Sequence, residues 1–181
     1  RTHEKNPLLF SFHGIPKSYV TAGDPYYCQS MKTARLVAER LSLGEKEWSV
    51  SFQSQVGREE WLRPYTDERL LEYARSGPKR VTLICPGFAT DCLETLEEIA
   101  LRNRQLFLEA GGEAYDYIPA LNSSDAHVAT LTNLIERHIR GWAEPSQQTP
   151  AEAEATLRAA PGIALVAPLH HILKARRIEA A

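Results

Sequence analysis

A histidine, His13, ends the short aromatic-rich run Leu8-Leu9-Phe10-Ser11-Phe12 and is followed at once by Gly14-Ile15-Pro16. Histidine's ordinary pKa of about 6.5 lets it accept a proton near neutrality, and at the tip of a buried strand it is held by the sheet yet open to a cleft. A hydrogen-bonded structural histidine fits the same local pattern. A second constellation runs Pro86-Gly87-Phe88-Ala89-Thr90-Asp91-Cys92-Leu93-Glu94-Thr95-Leu96-Glu97-Glu98. Glu94 and Glu98 are four apart, so they share one helical face near a helix start, where carboxylates are favoured. Two carboxylates and an imidazole form an O/N donor set suited to a divalent ion that must later be released, whereas thiolates hold such an ion too tightly. This makes His13, Glu94 and Glu98 the candidate metal-handling residues and Cys92 a packing residue, although an acidic first turn is also an ordinary helix start. The third constellation is the stretch from Phe52-Gln53-Ser54 to Trp61-Leu62-Arg63-Pro64-Tyr65, whose tryptophan, tyrosine and arginines could stack on a flat aromatic ligand and pair with its carboxylates. Trp61 could equally be an apolar anchor tethering a long loop.

The elements that must hold these residues are readable from periodicity. Residues 8–12 form a buried strand stopped by Gly14 and Pro16. After a loop to Gly23, Asp24-Pro25 starts a helix of about four turns whose inner face carries Met31, Ala34, Ala38 and Leu41. Residues 48–52 alternate as a strand, a loop spans 53–64, and Thr66-Asp67-Glu68 caps a helix with Leu70, Leu71 and Ala74 inward. Residues 81–85 form the clearest strand. From about residue 91 a long α-helix places Leu93, Leu96, Ala100, Phe107 and Ala110 on one face and closes at Gly111-Gly112. A weaker strand at 114–118 and a helix at 125–140 complete the pattern.

Four strands separated by helices predict an α/β fold, a parallel four-stranded sheet flanked by helices, since right-handed crossovers allow little else. Ligands of such sheets bind beyond the carboxyl ends of the strands, where all three constellations fall. The domain is expected over residues 1–141, with a polar linker at 142–160 and a tail of unassigned role at 161–181.

The 181 residues are 43% hydrophobic and carry a formal charge of −2, with no basic footprint of the kind nucleic-acid binding requires. Three cysteines without a CxxC pair indicate neither a disulfide framework nor a zinc or iron–sulfur site. The chain begins with Arg1 and shows no signal-peptide order, and its longest apolar tract near the end is far shorter than the roughly 20 residues of a membrane span.

Together, Phe12-His13-Gly14-Ile15-Pro16, Gly23-Asp24-Pro25-Tyr26, Gln53-Ser54 through Trp61-Leu62 to Thr66-Asp67-Glu68, and Phe88 with Asp91 and Glu94-Thr95-Leu96 resemble the ferrochelatase signatures in order and spacing. The resemblance covers residues 8–140 and is to the carboxyl-terminal half of a bacterial ferrochelatase, one half of a two-domain chelatase-like fold. It implies insertion of Fe²⁺ into protoporphyrin IX or coproporphyrin, the terminal part of haem biosynthesis, with this chain as one wall of the cleft and the amino-terminal half as missing partner. By that resemblance His13 and Glu94 are catalytic, Tyr26, Gln53, Ser54, Trp61, Phe88 and Asp91 bind substrate, and His13, Glu94 and Glu98 handle the metal. Iron is then substrate, with no resident cofactor and no [2Fe–2S] cluster, and the location implied is cytoplasmic, with peripheral association at the inner membrane. Cys92 stands where many members have histidine, and Arg102 where several have a further carboxylate. The alternatives are a catalytically inactive half-domain and a related cobalt or nickel tetrapyrrole chelatase.

Overall fold

The computed structural model describes residues 6–142. Its strands are β1 (Leu8–His13), β2 (Trp48–Gln53), β3 (Arg80–Ile84) and β4 (Ala114–Ile118). The helices are α1 (Lys17–Thr21), α2 (Tyr26–Arg40), α3 (Thr66–Ser76), a π-helix (Glu94–Asn103) running directly into α4 (Arg104–Glu109), and α5 (Asp125–Ile139). All strand pairs are parallel, in the order β2-β1-β3-β4. The chain therefore leaves β1 for one neighbour and returns to its other side for β3. The crevice beyond the carboxyl ends of β1 and β3 is the switch point at which open α/β sheets receive ligands. The expectation of a parallel four-stranded sheet between helices is met.

Strand alternation divides the core by sheet face. Leu8, Phe10 and Phe12 of β1 pack with Val50, Phe52, Ala34 and Leu62, while Leu9 joins Val81, Leu83, Leu70, Ile99 and Phe107 on the other face. On that second face β1 and β2 turn polar toward their carboxyl ends. Ser11, Ser51 and Gln53 are all buried, and His13 follows them in the same alternation. The sheet thus delivers a polar lane to the site. The edge of β2 is closed by the returning loop: the Phe52 N–H donates to the Pro64 carbonyl at 2.9 Å, and Phe52 bridges to Tyr65.

Local expectations hold with four corrections, the first being that Leu41, expected on the inner face of α2, lies just past its end and is 54% exposed. Asp24 does serve the start of α2, its Oδ1 accepting the Tyr26 N–H at 2.8 Å, and α4 ends with Gly111 at φ 101° and the Gly112 N–H donating to the Phe107 carbonyl at 2.9 Å. The stretch expected as loop before Gly23 contains the short helix α1, started by Pro16. Thr66 caps nothing: its hydroxyl points into the core, 2.8 Å from Ser11 Oγ and 2.9 Å from Ser51 Oγ. Most consequentially, the long α-helix opens as a π-helix. Leu93 and Leu96, expected inward, are 78% and 48% exposed, and the buried positions are Thr95, Ile99, Asn103 and Phe107, four apart throughout. A four-residue repeat drifts by about 40° per step at 3.6 residues per turn, and the wider winding keeps it nearer the sheet.

The compact unit carrying the sheet extends to Asn133, inside α5; α5 has no buried residue. The expected linker and tail lie outside the described residues, apart from Trp142, which is exposed. Among the described residues no helix is long and apolar enough to cross a membrane.

Phe107 is fully buried beneath Gly112 and packs 6.0 Å from the Tyr115 ring. Phe107→Ala should therefore cost about 3–5 kcal/mol of stability, to be measured by urea unfolding.

Candidate active site

His13 is the last residue of β1, in register with Gln53 at the end of β2. The next residue fixes its direction. The Gly14 N–H donates to the Gln53 carbonyl at 2.7 Å, and a Cβ on Gly14 would lie 2.9 Å from that oxygen and 3.0 Å from the Trp61 ring. Only glycine fits there. The Tyr26 hydroxyl donates to the His13 carbonyl at 2.8 Å, and burial raises the Tyr26 pKa, which keeps the phenol a donor.

The His13 ring is 2.7 Å, through Nδ1, from the Gly14 carbonyl. A carbonyl can only accept, so Nδ1 carries the hydrogen and the neutral ring leaves its Nε2 lone pair free. Trp61 and Phe88 flank this imidazole, each with its ring centroid 6.3 Å away. Together they make an apolar, aromatic surround for a base that keeps an open nitrogen.

Glu94 opens the π-helix on the same cavity. Its carboxyl is held below the usual carboxylate range by the Cys92 thiol first, then by its own backbone N–H and the nearby His13 charge. It is protonated only as the pH falls below that range, so it stands as a carboxylate at neutrality. His13, Ser54, Asp67, Glu94, Glu98 and Arg102 line a cavity of about 530 Å³, together with the end of β2.

The remaining expected site residues fall into different places. Glu98 spends both oxygens on Ser54, accepting from its N–H at 2.8 Å and its hydroxyl at 2.6 Å, and so fastens the turn in which Ser54 adopts φ 64°. Among the described residues no three histidine, cysteine, aspartate or glutamate side chains gather closely enough to hold a metal ion. The expected trio of His13, Glu94 and Glu98 lines one cavity, with Glu98 held by the Ser54 turn. Gln53 borders the same cavity but is 3% exposed, and its side-chain amide bonds to Ser11 and to the Glu94 carbonyl. Tyr26 likewise directs its hydroxyl to the backbone. Asp91 binds the loop after β4, and its carboxyl is lowered chiefly by the Asn122 amide at 2.8 Å, then by the Tyr117 hydroxyl, the Ala120 N–H and Thr95.

Sequence reasoning missed Thr66, Tyr115 and Asn122 as partners of this site. The signal for Thr66 was present, since Ser11 and Ser51 interrupt two apolar strands at the same alternation and require a buried polar partner. Nothing local marks Tyr115 or Asn122.

A family model described as Ferrochelatase matches residues 1–139. The chain belongs to the ferrochelatase family. It is 65% identical over 137 residues to a ferrochelatase of Nitrosococcus oceani, covering 76% of this chain and 37% of that protein. It is 54% identical over 154 residues to a ferrochelatase of Pseudoalteromonas atlantica, covering 84% of this chain and 43% of that protein. A coproporphyrin III ferrochelatase of Streptococcus mutans is 54% identical over 136 residues, 75% of this chain and 43% of that protein. The chain thus spans about two fifths of the length of these family members.

Two outcomes follow from the geometry. Gly14→Ala should destabilise the chain by about 1–3 kcal/mol, in the range of overpacking, and shift the Trp61 fluorescence, measured together in a chemical denaturation. Cys92→Ala should move the Glu94 titration upward toward the ordinary carboxylate range, followed by carboxyl NMR.

Proposed function

We propose that this chain forms one wall of a ferrochelatase site, at which Fe²⁺ replaces the two pyrrole protons of a porphyrin in haem biosynthesis. The reading is carried by His13: an imidazole whose Nδ1–H is tied to the Gly14 carbonyl and whose Nε2 is open beside Glu94, at the switch point of the sheet. A porphyrin must lose both N–H protons while the metal enters. Nε2 of His13 accepts the two pyrrole protons one after the other, the general-base step, each time becoming an imidazolium stabilised by the adjacent Glu94 carboxylate and returning to the neutral ring as the proton leaves for solvent. Glu94 also attracts the cation and passes a proton toward solvent along the cavity. Trp61 and Phe88 pack the macrocycle against the imidazole. Glu98 acts indirectly, through the Ser54 turn.

Iron is the metal of this reading, and the porphyrin is protoporphyrin IX or coproporphyrin; one similar protein is named a coproporphyrin III ferrochelatase and the others simply ferrochelatase. The opposite wall belongs to the other part of a ferrochelatase-length protein. A cytoplasmic protein, peripheral at the inner membrane where a poorly soluble porphyrin is exchanged, completes the proposal. The second reading is a half-domain that binds porphyrin without turnover.

The test is iron insertion followed by absorbance, with this chain alone and within a polypeptide of the relatives' full length. His13→Ala in the full-length protein should lower kcat by about 10²–10⁴-fold, the range of a lost general base, with porphyrin binding nearly unchanged. Retained turnover overturns the assignment, and binding without turnover by the short chain alone selects the half-domain.

A further inference from the structure

The π-helix that carries Glu94 receives two side-chain hydrogen bonds on its own carbonyls. Gln53 Nε2 donates to the Glu94 carbonyl at 2.7 Å, and the Tyr115 hydroxyl donates to the Ile99 carbonyl at 2.7 Å. These carbonyls are five residues apart, the step of an i→i+5 helix. The donors come from different strands, β2 and β4, so the two grips act from separate parts of the sheet.

The first grip has a forced direction. Gln53 Oε1 accepts from Ser11 Oγ at 2.7 Å and from the Cys85 thiol at 3.3 Å. Cys85 keeps its hydrogen, since burial, reinforced by the surrounding negative charge, pushes its pKa up to about 12. With the oxygen so occupied, the amide nitrogen must face Glu94; the flipped amide would set two carbonyl oxygens against each other. Ser11 has spent its hydrogen on Gln53, so Thr66 must donate to Ser11, and Ser51 in turn to Thr66. A one-way relay, Ser51 to Thr66 to Ser11 to Gln53, ends on the Glu94 carbonyl. Its four members are at most 3% exposed. In such surroundings each bond polarises the next, and an unmade one is costly. The second grip is equally protected: Tyr115 is 8% exposed, and burial holds its phenol well above the ordinary range, so it remains a donor.

A π-helix of ten residues exceeds the single-turn bulges in which this winding usually occurs. Support for its carbonyls from outside the helix offsets its poorer internal geometry. We infer that Gln53 and Tyr115 are positioning residues for Glu94, gripping the π-helix one winding apart and so setting where the Glu94 carboxylate meets His13. Neither touches the reacting atoms. The inference rests on the proposed role of Glu94 for its catalytic meaning, but its structural content does not.

The test uses the complete chain and requires no turnover. Tyr115→Phe deletes one hydroxyl and keeps the ring. Tyr73→Phe is the control, since it deletes a phenol paired with Ser49 at 2.7 Å, away from the π-helix. Amide exchange over Glu94–Asn103 should quicken roughly fivefold or more in Tyr115→Phe, the effect of one lost hydrogen bond on local opening. In the same variant, carboxyl NMR should find Glu94 titrating closer to the ordinary range. Thr66→Val, which breaks the relay without touching Gln53, should move both readouts the same way. Exchange and titration that stay at their values in the unsubstituted chain, or that change equally in Tyr73→Phe, overturn the inference. Loss of iron insertion in the full-length protein bears only on the reading of function.

Discussion

The close approach at the end of β1 is the constraint on which the rest of the site depends. The Gly14 N–H reaches the Gln53 carbonyl at 2.7 Å only because residue 14 has no side chain. That contact brings the ends of β1 and β2 together, leaves room for the Trp61 ring to lie over the turn, and aims the preceding histidine at the cavity. It also fixes residue 53, whose side chain is then directed inward to the π-helix. One missing Cβ thus couples the base, the aromatic wall and the carboxylate-bearing helix.

Much of this was legible because the relevant signals are local. The run ending at His13, the Asp24-Pro25 start and the Gly111-Gly112 stop each rest on neighbours in sequence, and each appears where its pattern puts it. The placement of His13 at a strand tip, and of Glu94 at a helix start beside it, follows from strand–helix alternation. What escaped is non-local. A π-helix has no separate sequence signature: residues 93–110 contain enough leucine and alanine to draw an α-helical stripe through Leu93 and Leu96, and only the partners on β2 and β4 reveal that Thr95, Ile99 and Asn103 face inward. The partners of Gln53 and Glu98 have no local signature, because contacts more than forty residues away decide where these polar side chains spend their hydrogen bonds.

The division of labour among the acidic residues is similarly a product of environment. Four carboxylates occur within eight positions, yet Asp91 is satisfied by four donors from its surroundings, Glu97 pairs with Arg102 at 3.5 Å, Glu98 accepts two bonds from one serine, and Glu94 is tuned by a thiol and a nearby imidazole. Only the last faces His13 without being committed to holding the fold. The same chemical group becomes a brace, an anchor or a free carboxylate according to the donors around it.

The loop that carries Trp61 to the cleft has a further effect, on how the molecule meets others of its kind. β2 is an outer strand, and an outer strand with free backbone donors invites another chain to pair with it. Here the outward N–H of Phe52 is already taken by the Pro64 carbonyl, and proline has no N–H with which to prolong the ladder. The segment that builds the aromatic wall also seals the sheet at that end, so shortening it would expose a sticky margin as well as remove the wall.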